Sequence, residues 1–119
     1  MTVEMINNRK VVEGVSRVID DEINSNREGY HYDFDTAFEN MRKKCSVFDI
    51  CTAVALTVNK ADWDGRFSNT SKKWVENFLF TKDIETEDFK GIRLCDTHRA
   101  VFNGFTEWLF DKVKKENLL

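Results

Sequence analysis

Proline is absent from this 119-residue sequence, so the strongest interrupter of helices is missing. Glycine is scarce, with five residues, and helices are free to run until a glycine, an asparagine or a polar turn stops them. Three cysteines make an odd count with no Cys-x-x-Cys pair, which argues for free thiols in a reducing cytosol rather than a disulfide framework. A basic excess is also lacking. Eighteen Lys and Arg against 21 Asp and Glu leave a net charge of −3 and a pI near 5.4, whereas simple nucleic-acid binding needs a basic stripe or patch. The longest apolar-rich stretch, 47–58, is broken by Asp49, Thr52 and Thr57 and is too short to span a bilayer. Residues 1–8 have no basic region followed by an apolar core, so no secretory signal is expected and a cytoplasmic setting is. No P-loop, Gly-x-Ser-x-Gly, His-Glu-x-x-His or glycine-rich dinucleotide fingerprint occurs.

What is present is a core supply. Apolar residues make up 41% and charged residues 33%, with 10 Phe, 3 Trp and 2 Tyr. Each large ring buries about 150–250 Å², so one domain over residues 1–119 closes a core without staples. The spacing predicts a mainly α fold of about five helices, with room for one short β-hairpin. Val11, Val15, Val18, Ile19 and Ile23 mark a first helix that tolerates Gly14, and 25–29 end it. Asp33 is placed to cap a second helix carrying Phe34, Phe38 and Met41. Ser46 and Asp49 resemble a capping box for a third, with Val47, Cys51, Val54, Ala55 and Val58 as its stripe. Because so many of its other positions are small or apolar, this third helix is expected at the centre. Ser68 or Asn69 caps a fourth with Trp74, Phe78 and Leu79; Asp96 or Thr97 caps a fifth with Val101, Phe105, Trp108, Leu109 and Val113. Segments 30–32 and 92–94 are the candidates for extended structure.

Chemistry has few carriers. Cys95-x-x-His98 is the only close pair of metal-ligand type, and four-ligand zinc sites come as two such pairs, so no metal and no cofactor are expected. His31 and His98 are the only histidines and the only imidazoles for general acid–base work; a metal-independent ribonuclease would have to use one of them. Acidic residues crowd at Asp20-Asp21-Glu22, at Asp33 and Asp35, and at Asp83, Glu85, Glu87 and Asp88. They read as solvated faces or as a surface that docks on a basic groove. The block Asp62-Trp63-Asp64-Gly65-Arg66 joins a tight-turn signal to residue types enriched at binding hot spots. It fits either a packed helix–helix corner or a recognition element.

Asp64-Gly65-Arg66-Phe67-Ser68 followed by Lys73-Trp74 resembles a small domain of conjugative elements and phages of Gram-positive bacteria. The pattern there is Asp-Gly-Arg, a hydrophobic residue and Ser, then Asn-Lys and Trp-Ala. A second block, His98 and Asn103-Gly104-Phe105, is similar to that group's His before an Asn-Gly-Phe-like segment; Ser71-Lys72-Lys73-Trp74-Val75 departs from the Asn-Lys-Trp-Ala order. Small proteins of this setting include inhibitors of type II RNA-guided CRISPR nucleases. The resemblance implies a non-enzymatic protein that binds the nuclease and blocks guide or DNA engagement, without contacting nucleic acid itself. Its expected contact residues are Asp62, Trp63, Asp64, Arg66, Asp83, Glu85, Glu87 and Asp88. A ribonuclease and a structural accessory protein of conjugation are the alternatives.

Overall fold

A computed structural model describes residues 8–61 and 67–119. Within them lie five α-helices: α1 (Arg9–Ser25), α2 (Phe34–Arg42), α3 (Val47–Ala61), α4 (Asn69–Thr81) and α5 (Arg99–Glu116). One antiparallel hairpin, β1 (Arg27–Glu28) and β2 (His31–Tyr32), separates α1 from α2, with Arg27 opposite Tyr32 and Glu28 opposite His31. The mainly α, single-domain architecture is the one the periodicity predicts.

The helix starts follow local chemistry. Asn8 accepts from the amides of Lys10 and Val11 to open α1, and the Asp33 carboxylate accepts from the Thr36 amide at 3.1 Å to open α2. Ser46 Oγ accepts from the Asp49 amide at 3.1 Å, the first half of the expected capping box. Ser68 rather than Asn69 caps α4, accepting from the Ser71 amide. α5 departs from expectation, because His98 is its N-cap, its Nδ1 accepting from the Ala100 amide at 3.2 Å. Asp96 and Thr97 are engaged elsewhere, as described below.

The hairpin also differs. Its two strands are consecutive, turning at Gly29-Tyr30, while residues 92–94 run outside any ladder. Gly29 has φ +61° at the first central position of a two-residue loop, where the right-handed strand twist demands positive φ and favours glycine.

α3 is the centre. Ile50, Cys51, Thr52, Ala53, Val54, Ala55, Leu56 and Val58 are all buried, a helix enclosed nearly all round, and α1, α4 and α5 pack on it. On α1 the buried stripe is Val12, Val15, Ile19 and Ile23, with Val11 and Val18 only half-buried at its borders. α2 meets α5 through rings: Phe34 lies 5.4 Å from Phe105 and Phe38 5.5 Å from Trp108, centroid to centroid. α4 meets α5 through Trp74, stacked on Phe110 at 3.5 Å.

Candidate functional site: a cationic cleft and an acidic edge

Two surface features stand out. One is a cleft of about 740 Å³ between the C-terminal end of α3, the segment 93–98 and the first turn of α5. The other is the connection from α4 to α5, which carries the acidic cluster.

The segment before α5 is fixed by a single carboxylate. Asp20 on α1 accepts from the Asp96 amide at 2.7 Å, the Thr97 amide at 2.8 Å and the Cys95 thiol at 2.8 Å, and also from the Thr97 hydroxyl. Four donors on one acceptor make a clamp, and hydrogen bonds to a charged group are the stronger class. This is why Thr97 does not cap α5. Asp96 pairs with Arg93 at 2.7 Å on the rim. Burial, joined by the adjacent Asp20 carboxylate, pushes the Cys95 thiol far above its usual range, so it is a hydrogen-bond donor and not a nucleophile.

The cleft that results has an apolar floor of Phe67, Leu94 and Phe102 and a polar wall that includes Lys60, Arg93, His98 and Arg99. Among the described residues that line it, Lys60, Arg93 and Arg99 are cationic and Asp96 is a carboxylate, in a chain whose net charge is −3. Lys60 has no hydrogen-bond or ion-pair partner among the described residues. Its ammonium is held below the usual lysine range by desolvation and then by Arg93. Nδ1 of His98 acts as an acceptor at the cap, so the neutral ring carries its proton on Nε2, as a donor.

The acidic edge is built differently. α4 ends in two bonds that satisfy its last carbonyls: the Asp83 amide to Phe80 O at 3.1 Å and the Ile84 amide to Leu79 O at 3.0 Å. This is the Schellman arrangement, with Asp83 at φ +53° in the left-handed position usually given to glycine. Ile84 and Phe89 are buried and pin both ends of the segment. Asp83, Glu85, Glu87 and Asp88 are all exposed. Glu87 opens a single 3-10 turn and pairs with Lys90 at 3.0 Å. The edge is therefore a ridge held at both ends by buried apolar side chains.

The other sequence candidates separate. Asp62, Trp63, Asp64 and Arg66 lie outside the described residues; their neighbours in the chain, Ala61 and Phe67, line the cleft. His31 sits exposed on β2, and His98 lines the cleft, so the structure does not gather the two histidines there. The triplet Asp20-Asp21-Glu22 is not a solvated face: Asp20 is the clamp, Glu22 pairs with Lys44 at 3.3 Å, and only Asp21 is exposed. Sequence reasoning missed Lys60 and Arg93 as site residues. Among the described residues no group of His, Cys, Asp and Glu converges as a metal site, and no helix is long and apolar enough to cross a membrane. Cys45, Cys51 and Cys95 are free thiols.

Fold and surface thus define a small helical domain with a cationic cleft on one face and an acidic ridge beside its last inter-helix connection. The chain belongs to the family described as "Protein of unknown function (DUF3849)", which matches residues 7–117. No curated protein and no solved structure matches it.

Proposed function

We propose that this chain is a binding protein of a mobile genetic element, and that it acts by docking its acidic ridge on a basic surface of a partner protein. The observation that carries the reading is the set of four exposed carboxylates at 83, 85, 87 and 88, held by the buried Ile84 and Phe89. A fixed array of like charge steers association and discriminates among partners better than a mobile one, since ordering costs are already met. The partner implied by the sequence resemblance is a type II RNA-guided nuclease, whose guide and target occupy a positively charged channel. An acidic ridge seated there would block guide or DNA engagement with no covalent chemistry.

The test is retention of the purified chain on immobilised nuclease, with and without guide RNA. Retention of the wild-type chain at low salt, with inhibition of DNA cleavage, supports the reading. Failure of both nuclease forms to retain it removes the nuclease as partner and favours the accessory protein of conjugation.

A further inference from the structure

Phe80 is an aromatic residue that the core does not use. It follows the buried Phe78 and Leu79 on α4 yet is 85% exposed, and of the large apolar side chains left exposed among the described residues it alone lies in a helix. A single exposed ring is ordinary, but this one borders a concavity. Glu76, Leu79, Phe80, Asp83 and Ile84 line a shallow slot of about 480 Å³. Glu76 stands four residues before Phe80 and so shares its helix face, and Asp83 is the left-handed residue that closes the helix. Leu79 and Ile84 are buried and make the floor, while the Glu76 and Asp83 carboxylates are exposed. The negative end of α4 lies at the same place and favours a cation. Lys82, the basic residue nearest to Phe80 in the sequence, is directed elsewhere: its ammonium lies 5.9 Å from the centroid of the Phe48 ring. An open aromatic face, an apolar floor and two carboxylates together complement a cationic head on a methylene stem. Arginine fits better than lysine, because its planar fork stacks on a ring while donating to carboxylates and is more weakly hydrated.

We propose that this slot receives an arginine side chain of the partner protein, its guanidinium stacked on Phe80 and donating to Glu76 and Asp83, its stem over Leu79 and Ile84. The inference rests on the reading that the acidic ridge docks on a basic protein surface, and it adds the short-range element which that reading lacks. Charge at 85, 87 and 88 attracts any polycation; a ring flanked by carboxylates selects arginine. Asp83 belongs to both the ridge and the slot, so the two are continuous.

The experiment is a titration of the isotopically labelled full chain with hexa-arginine and hexa-lysine peptides at low salt, followed by amide chemical shifts. Hexa-arginine is expected to shift residues 76–86 saturably and to bind about fivefold more tightly than hexa-lysine, the scale of a cation stacked on an exposed ring. Phe80→Ala should abolish that preference with an unchanged melting temperature, since the side chain packs on little, and Phe80→Tyr should retain it. The proposal is overturned by equal affinity for the two peptides, by no saturable shift from either, or by an arginine preference that survives Phe80→Ala. Sedimentation of the peptide-free chain supplies one more arm: self-association that Phe80→Ala disperses would seat a second copy in the slot and also overturn the proposal. The outcome is separable from the nuclease test. A chain that prefers arginine through Phe80 but is not retained on the nuclease keeps the slot and loses that partner. A chain retained on the nuclease with no arginine preference keeps the ridge and loses the slot.

Discussion

Gly14 is exposed in the middle of α1, and a Cβ built there meets no atom within 4 Å. Glycine in a helix interior costs backbone entropy with nothing gained here, so Gly14→Ala should stabilise the fold by about 0.5–1 kcal/mol, read as a higher midpoint in urea. Two aspartates at helix starts make a contrasting pair. The Thr36 hydroxyl and amide, both donating to Asp33, hold its carboxyl below the usual range. Burial instead raises that of Asp49, whose Oδ1 has no hydrogen-bond partner, against a smaller opposing effect of Ser46. Asp33 therefore contributes stability above the ordinary carboxylate pKa of about 3.9, lost as pH falls through its lower folded value. Asp49 has the reverse sign: its contribution is complete below that value and is lost as pH rises through its higher folded value. In thermal melts from about pH 2.5 to about pH 7, the deficit of Asp33→Ala should shrink toward acid. Asp49→Asn should gain on wild type as pH rises. Two profiles of the same sign would contradict the assignment.

At the scale of elements, helices and caps set by neighbours within four residues were legible: Asp33, Ser46 and Ser68 do what their spacing implies. The N-terminus of α5 was not, because the groups that decide it are 75–77 positions apart. Asp96 and Thr97 are ordinary cap residues until Asp20 takes their amides. Nothing local distinguishes Asp20 from Asp21 beside it. The same limit hid the cleft, since Lys60 and Arg93 meet only when α3 and the segment before α5 are packed. The clamp has a sharp consequence. Asp20→Ala strands the donors of buried Thr97 and half-buried Cys95 and should cost about 1.5–3 kcal/mol, with faster amide exchange at Asp96 and Thr97, whereas exposed Asp21→Ala should stay within about 0.5 kcal/mol. Equal effects of the two would deny the clamp.

For the whole molecule, the aromatic count foretold a well-filled core, and Phe38, Phe105 and Trp74 with Phe110 supply it. Charge was legible only as a sum: a net −3 conceals a cationic cleft and an acidic ridge whose separation arises from the fold. The function proposed rests on the ridge, so the most direct test is its affinity for the nuclease as a function of charge and salt. Asp83, Glu85, Glu87 and Asp88 are exposed, and the ion pair they make among the described residues, Glu87 with Lys90, is of the surface kind worth at most about 1 kcal/mol. Replacing all four with lysine should leave the helical circular dichroism unchanged. Bound to immobilised nuclease, the wild-type chain should lose affinity steeply as salt shortens the screening length from about 30 Å at 0.01 M to about 8 Å at 0.15 M. The reversed variant should bind at least tenfold more weakly at low salt and show little salt dependence. A folded variant that binds as tightly as wild type, with the same salt slope, would contradict the account.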